Sequence, residues 1–307
     1  MTAEQILLTT VGVVVAVVLA ATAAFVGSGA RFRGNLRSHS GFSDCSVAPT
    51  WTGPFEYAAS TDPILTEFRE TYQLDRIAGT SSEIERLVRV MCWVHRLTSH
   101  AVNPTRPEEM TGLHLVRWTL EEGKRFNCWM YATVLNDALL SVGFASRLVH
   151  LCPHSDHPNE SHYVTAVYSS RYAKWIHLDP DMCAYVTDEN GVPLGVGEIR
   201  ERMIDRRPLL VSNTIDMAYT SMLGKPLVKS VYLWYLSKNL FRIECPARSV
   251  PGYETDFSGN EYVHLVPDKY HDEWLSEPRQ GEHGTTLFYV RDPELFWAAP
   301  DGAQQTR

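Results

Sequence analysis

Three side chains with the chemistry of a nucleophile, a base and an acid, Cys128, His162 and Asp179, occur in that order in the middle of this 307-residue chain. Cys128 follows Asn127, which is suited to cap a helix over the run CWMYATVLNDALLSV. The first turn of a helix has backbone N–H groups without intrahelical partners, and the helix dipole is positive there. Both effects favour the thiolate, which is the nucleophilic form of cysteine. Because free cysteines are often simply buried in a core, the position of Cys128 alone does not establish a reaction.

Two alternating segments, SHYVTAVY and KWIHLD, are joined by a short polar connection and predict a β-hairpin. If Ser170 and Arg171 form a two-residue turn, His162 faces Asp179 across the two strands. Directly opposed side chains have Cβ atoms about 5 Å apart. A carboxylate there can accept an imidazole N–H and leave the other ring nitrogen for a thiol. The sequence therefore predicts Cys128 as the nucleophile, His162 as the base and Asp179 as the orienting acid.

The runs FNCWMYATVLNDALLSVGFASRLVHL, SHYVTAVY and KWIHLDP resemble the three-block core of the transglutaminase-like superfamily. This resemblance implies a papain-like fold, in which a helix bearing the catalytic cysteine packs on an antiparallel sheet that carries histidine and then aspartate. At the positions of this sequence, Cys128, His162 and Asp179 match that triad one for one. Gly143 and Arg147 match the GxxxR stretch that leads from the helix into the first strand.

The resemblance is close over residues 125–180 and looser through AYVTDENGVPLGVGEIRERM and YLWYLSKNLF, which look like an uncharacterised bacterial branch of the family. The superfamily holds protein cross-linkers, peptidases, peptide N-glycanases and inactive members. Its motifs are therefore specific for the fold and the triad and poorly specific for the reaction.

The residues that would assist this triad are less evident from the sequence. Two positions after the aspartate, Asp181 stands where the family often has Thr or Ser, and an extra carboxylate there would raise the pKa of His162. Helix-terminal N–H groups, including that of Cys128, would help to hold an oxyanion. Trp93 and Asn103 are candidate side-chain donors for the oxyanion, although a structural role is the simpler interpretation of each.

The rest of the chain predicts an α+β fold, in which the cysteine-bearing helix packs on an antiparallel sheet and one transmembrane helix precedes the domain. Predicted helices begin at Pro63 and Glu83 and cover residues 108–122, 128–142 and 226–240. Predicted strands are Ala145–Leu151, Ser161–Tyr168, Lys174–Leu178, Tyr262–Val266 and Thr285–Val290.

Two further patterns favour ordinary structural roles. Charges at helical spacing predict a solvated helix face at Glu198, Arg200, Glu201 and Arg202. A run of aromatic residues predicts core or the wall of a groove at Tyr232, Trp234, Tyr235 and Phe241.

The N-terminal segment Ile6–Val26 is uncharged and rich in Leu, Val and Ala, and it has about the 20 residues that a helix needs to span a bilayer. A secretory signal peptide is the alternative, but Met1–Gln5 lacks the basic residues that such a peptide would carry. The arginines that follow the span, Arg31, Arg33 and Arg37, favour a cytoplasmic domain by the positive-inside rule. The free thiols agree with a reducing compartment.

The predicted organisation has four parts. Residues 1–27 form a transmembrane anchor, 28–50 a flexible linker, 51–297 a transglutaminase-like domain and 298–307 a disordered tail.

The composition restricts the partners. A formal charge of −8 and a pI near 5.8 argue against nucleic-acid binding, because no basic excess is available to neutralise phosphates. A C-x-H-x2-H-x4-H pattern that could bind zinc is formed by Cys152, His154, His157 and His162. A polar surface loop explains this segment more simply, so neither a metal nor a cofactor is predicted.

The resemblance implies an enzyme that forms a thioester on Cys128, either a cysteine peptidase or amidase or a transglutaminase-like acyltransferase. Its substrate would be a protein or peptide, with a cell-wall glycopeptide as one candidate, and the anchor would place it at a membrane. An inactive module that binds peptides or glycopeptides on the same fold is the alternative. A structural membrane protein that uses the domain for assembly is a third hypothesis.

Overall fold

The computed structural model describes residues 10, 23–42, 49–102, 104–155, 161–217, 224–268 and 272–301. The helices are α1 (residues 23–38), α2 (Pro63–Thr71), α3 (Leu74–Ala78), α4 (Glu83–His95), α5 (Gly112–Glu122), α6 (Cys128–Ser141), α7 (Val196–Asp205), α8 (Lys225–Asn239) and α9 (Pro293–Phe296), with short 3-10 helices at Asp272–Leu275 and Glu282–Gly284. The strands are β1 (Glu56–Tyr57), β2 (Ser146–Cys152), β3 (His162–Ser169), β4 (Lys174–Leu178), β5 (Val186–Thr187), β6 (Leu210–Val211), β7 (Arg242–Pro246), β8 (Arg248–Ser249), β9 (Glu261–Leu265), β10 (Arg279–Gln280) and β11 (Thr286–Val290).

Seven of these strands form one sheet in the order β10-β11-β9-β7-β2-β3-β4. Neighbouring strands from β9 through β7, β2 and β3 to β4 are antiparallel, whereas β9 and β11 are parallel. The α+β prediction is confirmed. The sheet as a whole is mixed rather than antiparallel, although the half that carries His162 is antiparallel as predicted.

Both faces of this sheet are covered, because its strands bury side chains on alternate sides. Val164 and Ala166 belong to one hydrophobic core, which includes residues of α7 and α8. Val167 belongs to the other core, which is built mainly from α2, α4, α5 and α6. Two layers of helices therefore enclose the sheet.

Helix α6 is the central helix of the second layer. All but two of its residues are buried, as expected of a helix that is apolar nearly all round. The hydroxyl of Thr165 on β3 donates a hydrogen bond to the backbone oxygen of Ala132, 3.1 Å away, and this bond joins the helix to the sheet. The chain leaves the helix through Gly143 with φ +87°, the left-handed conformation that glycine adopts readily.

The segment before the domain differs from the predicted flexible linker. Residues 23–38 are helical, Leu36 is buried, and Arg37 Nε donates to the backbone oxygen of Ile204 at 3.0 Å. The rings of Phe25 and Phe32 lie 5.3 and 5.8 Å from that of Trp234 on α8. The linker prediction is therefore wrong over residues 28–38, because apolar side chains between the glycines and arginines give this segment a face that packs on the domain.

The predicted transmembrane segment lies mostly outside the described residues, which omit 1–9 and 11–22. Within the described part of the chain, every helix is too short or too polar to cross a membrane. At the other end, the backbone oxygen of Ala298 accepts a hydrogen bond from Trp175 Nε1 at 3.0 Å, so the predicted tail begins in contact with the sheet. Residues 302–307 of that tail also lie outside the described residues.

The predicted solvated face of α7 is wrong at Arg200, which is fully buried. Its guanidinium donates to the backbone oxygens of His39, Ser40 and Leu240 and lies 4.3 Å from the ring centre of Phe42. Burial lowers the pKa of Arg200 to about 10. The three carbonyl acceptors explain how the charge is accommodated inside the protein.

Candidate active site

Cys128 is the first residue of α6, and the side chain of Asn127 accepts a hydrogen bond from the Met130 N–H at 3.0 Å, as the capping prediction required. Cys128 is half-buried. The other cysteines that the structure describes, Cys92, Cys152, Cys183 and Cys245, are all buried, whereas Cys45 lies outside the described residues. Among the described thiols, Cys128 is therefore the one most accessible to a substrate.

His162 and Asp179 are in direct contact, with His162 Nε2 2.7 Å from Asp179 Oδ2. The predicted hairpin register is nevertheless wrong by two residues: Ala166 pairs with His177 rather than with Trp175. Continued past the end of β4, the observed register makes Asp179 a diagonal neighbour of His162. A shift by two residues keeps side chains on the same face of the sheet, so the contact survives the error.

Asp179 accepts two hydrogen bonds besides that from His162. The Met182 N–H donates to Oδ1 at 3.0 Å, and the Tyr232 hydroxyl donates to Oδ2 at 3.1 Å. Burial alone would raise the pKa of Asp179, but the charge and hydrogen bond of His162 and the Met182 N–H are among the influences that outweigh it, so the pKa lies below its ordinary value. The carboxylate is therefore held in its charged form and in a fixed orientation.

His177 extends this chain of hydrogen bonds by one group, since its Nε2 lies 2.9 Å from the Tyr232 hydroxyl oxygen. The hydroxyl proton is engaged with Asp179, so His177 must be the donor in this bond. Burial lowers the pKa of His177 to about 4, which makes the ring neutral near pH 7. The sequence prediction missed both Tyr232 and His177, because neither stands in a motif and Tyr232 reads as one of several core aromatics.

His162 is fully buried, and its environment acts on its charge in two directions. Burial would lower its pKa, but the carboxylate of Asp179 and the nearby side chains of Tyr235 and Cys128 raise it well above its ordinary value. Nδ1 has no hydrogen-bond partner among the described residues, so it is the ring nitrogen that remains available to a thiol. The ring of Tyr235 on α8 lies edge-on to the imidazole at 5.0 Å. His162 can therefore hold a proton beside the thiol.

The extra carboxylate of Asp181 is used elsewhere, because its Oδ1 lies 2.9 Å from Nδ1 of His100. Asp181 is not among the largest influences on the pKa of His162. Trp93, a candidate oxyanion donor, packs in the helical layer against the rings of Phe68 and Tyr72. The other candidate, Asn103, lies outside the described residues.

A partly exposed stack of side chains adjoins Cys128. The ring of Trp129 lies 6.0 Å from that of Phe257 with near-parallel planes, and the guanidinium of Arg106 lies over both rings at 5.6 and 4.6 Å. Tyr131, by contrast, is buried, and its hydroxyl donates to the backbone oxygen of Thr98. Of these two aromatic residues after Cys128, only Trp129 therefore contributes to a surface next to the thiol.

The C-x-H-x2-H-x4-H pattern does not form a site. His162 pairs with Leu151 across the strands, and so its side chain is on the opposite face of the sheet from Cys152. The ring of His154 packs against those of Phe241 and His39, and His157 lies outside the described residues.

Because His177 is buried and hydrogen-bonded, we expect the folded protein to become less stable as the pH falls. With a folded pKa of about 4 and an unfolded value near 6.5, the unfolded chain takes up the proton first as the pH falls. The free energy of unfolding should therefore decrease between about pH 6.5 and 4, by about 3 kcal/mol from this group. In His177→Gln the amide can still donate to Tyr232 but does not titrate. When urea unfolding is measured between about pH 6.5 and 4, the free energy of unfolding of His177→Gln should therefore decrease by about 3 kcal/mol less than that of the unsubstituted protein.

The matched control is His114→Gln, at a half-buried position on α5. This control should keep the pH dependence of the unsubstituted protein. Parallel pH profiles of His177→Gln and the unsubstituted protein would show that His177 is not the group responsible.

Comparison with known proteins agrees with the sequence resemblance. The sequence model of the Transglutaminase-like superfamily matches residues 71–180, a segment that contains Cys128, His162 and Asp179. Among curated proteins, none matches at a significant level. A solved structure described as a "Putative Cysteine Protease" from Cytophaga hutchinsonii aligns with 53% of this chain and 59% of its own, at 13% identity and a TM-score of 0.30. By the match of that sequence model, residues 71–180 of the chain are similar to the transglutaminase-like superfamily.

Proposed function

We propose that this protein is a thiol-dependent enzyme that transfers acyl groups from amide bonds through a thioester on Cys128. The observation that carries the proposal is the 2.7 Å contact of His162 with Asp179, which leaves Nδ1 of the same ring to the thiol at the start of α6. A histidine steadied on one side by a carboxylate and facing a cysteine on the other is the arrangement that nucleophilic catalysis by a thiol requires.

The reaction begins with the Cys128 proton on His162, since a raised pKa allows the imidazole to hold it near pH 7. The thiolate attacks the carbonyl carbon of an amide, and backbone N–H groups in the first turn of α6 stabilise the oxygen anion that forms. His162 then protonates the leaving amine as the C–N bond breaks, which leaves a thioester on Cys128. Water or an acceptor amine, deprotonated by His162, attacks the thioester and regenerates the thiol.

Asp179 orients His162 and stabilises its charged form, and Tyr232 holds Asp179 in place. The proton therefore moves at Nδ1, while Nε2 stays bonded to the carboxylate. Burial of the pair strengthens this interaction, because few water molecules can compete for either group.

The stack of Trp129, Phe257 and Arg106 is the surface that we assign to substrate. Half-exposed aromatic rings beside a nucleophile can hold an extended peptide by apolar contact, and Arg106 adds a positive charge that would favour an acidic group on the substrate. These features support a protein or peptide substrate, with a peptide attached to a cell-wall glycan as one candidate.

Trapping the acyl-enzyme tests the proposed function. The full chain is incubated with a peptide library, with and without an excess of a labelled primary amine, and digests are analysed by mass spectrometry. An enzyme of this type should give a thioester adduct on Cys128 that is absent from Cys128→Ala. Transfer of the labelled amine to peptides would identify an acyltransferase, and cleaved or deamidated peptides alone would identify a hydrolase. If neither an adduct nor a product forms with any peptide, the enzymatic proposal fails.

One observation favours the alternative, an inactive module that binds peptides. His162 is fully buried, so a ligand could rest on the partly exposed aromatic stack without contacting the imidazole. Peptides that bind with equal affinity to Cys128→Ala and to the unsubstituted protein, and are never turned over, would support this second function.

The place of action that we propose is a membrane surface. The apolar run Ile6–Val26 supports a single-pass anchor, and the arginines after it favour the cytoplasmic side. Carbonate extraction of membranes should leave the chain in the pellet, and protease protection of sealed vesicles would report the side.

A further inference from the structure

A row of titratable side chains crosses the face of the central sheet opposite to His162. Strand pairing places His150 beside Glu244 and Glu244 beside His264. Cys152 follows His150 by two residues on β2, so both side chains point to the same face. None of these residues takes part in the proposed reaction, and the row shares only Cys152 with the C-x-H-x2-H-x4-H pattern.

The distances within this row fit a metal ion. His150 Nδ1 lies 3.5 Å from Cys152 Sγ and 3.5 Å from Glu244 Oε2, and the ligand atoms of the three residues all lie within 4.8 Å of one another. With Zn–N and Zn–O bonds of about 2.1 Å and a Zn–S bond of about 2.3 Å, a tetrahedral site has N···O and N···S edges of about 3.4 and 3.6 Å. Two edges of such a tetrahedron are therefore already formed.

We propose that His150, Cys152 and Glu244 bind a divalent transition-metal ion, with Zn²⁺ as the ion that best fits a thiolate, an imidazole and a carboxylate. The three residues supply three ligands, and water completes the tetrahedron. The ion would join β2 to β7 next to the strand that carries His162.

The surroundings hold the ligands in place. The His150 ring is stacked on Tyr163, with centroids 4.1 Å apart and planes at 7°, which fixes the direction of Nδ1. His264 Nδ1 lies 3.4 Å from the same Glu244 oxygen, an outer contact of the kind that supports metal-bound carboxylates.

An ion can reach these ligands from solvent. The side chains of His150 and Glu244 each keep 19% of their exposure, while Cys152 is buried beneath them. Binding would displace protons from the imidazole and the thiol and would put the positive charge of the ion in their place.

Metal titration of the full chain, purified after chelation, tests the proposal with Zn²⁺ and with Co²⁺ as a spectroscopic probe. One ion should bind per chain, and Co²⁺ should give the absorption of a thiolate-to-metal charge transfer. Cys152→Ser should abolish that absorption and weaken Zn²⁺ binding by more than about 100-fold, beyond the effect of losing an outer contact. Glu244→Gln, with its fold checked by circular dichroism, should also weaken binding.

Two cysteine variants serve as controls. Cys245 is adjacent to Glu244 but faces the opposite core, and Cys128 is the proposed nucleophile, so Cys245→Ser and Cys128→Ser should bind both ions as the unsubstituted protein does. The proposal is overturned if Cys152→Ser keeps full affinity or if neither ion binds stoichiometrically to the folded chain. The row would then be an ion-pair network only. Because the readout is metal binding, this result does not depend on whether Cys128 forms a thioester.

Discussion

Replacing His162 with alanine is expected to lower amide turnover by about 10⁴-fold or more, because one ring must take the thiol proton and then deliver it to the leaving amine. Alkylation of Cys128 by iodoacetamide near pH 7 should also slow, by about 10- to 30-fold. The imidazolium stabilises the thiolate, which is the form that attacks iodoacetamide, and in the variant only the start of the helix does so.

The alkylation rate is measured by mass spectrometry of each cysteine peptide, so the buried cysteines serve as internal references. In the unsubstituted protein, Cys128 should react far faster than Cys92, Cys152, Cys183 and Cys245, which are buried. His100→Ala is the matched control, because His100 also pairs with a carboxylate near the site but bonds Asp181 rather than Asp179. Similar slow labelling of all cysteines, unchanged by His162→Ala, would contradict the proposed role of the ring and would favour the binding module.

The residues of this candidate site could be identified from sequence because each stands in a strong local pattern. Asn127 and the apolar run after it define where α6 begins, so Cys128 had to lie in its first turn. Alternation fixed which face of each strand His162 and Asp179 occupy. The turn length was not fixed, and the observed register differs by two residues from the predicted one. An error of one residue would have put the two side chains on opposite faces of the sheet.

The groups that support the site could not be predicted, because they come from parts of the chain far from the motif. Tyr232 reaches Asp179 from α8, across 53 positions of sequence. No periodicity distinguishes its hydroxyl from those of other buried tyrosines. The same limit applies to Glu244, which meets His150 only because β7 pairs with β2, and to Arg200, whose acceptors are backbone oxygens of distant segments.

The surroundings of Arg147 explain why an arginine stands in the GxxxR stretch. They also predict that replacing this arginine greatly lowers the stability of the fold. Its side chain is buried, and its guanidinium carbon lies between 4.3 and 5.1 Å from the ring centres of four residues, Phe55, Trp175, Phe296 and Trp297. Its Nη2 donates to the backbone oxygen of Phe296 at 2.8 Å. Among the described residues, no carboxylate lies within ion-pair distance of it. The flat, delocalised cation is therefore held by aromatic faces.

Arg147→Lys is expected to decrease the free energy of unfolding by about 3 kcal/mol, and Arg147→Ala by about 4 kcal/mol. A lysine ammonium is more strongly hydrated and cannot lie flat among the rings, and the hydrogen bond from a charged donor to Phe296 is lost. Alanine leaves a cavity in addition. Urea unfolding measures both values. Arg171→Lys is the matched control, since Arg171 lies 5.6 Å from a single ring, that of Tyr172, on an exposed turn.

The control should change stability by less than about 0.5 kcal/mol, as surface substitutions usually do. A loss of that small size in Arg147→Lys would mean that any cation fits among the four aromatic rings equally well, and the geometric argument would fail.

A decrease in the free energy of unfolding of the expected size in Arg147→Lys has a consequence for the site. Arg147 extends from β2 to Trp175 on β4 and to Phe296 on α9, across the strand that carries His162. The charge between these rings would then hold the edge of the sheet on which the contact of His162 with Asp179 depends.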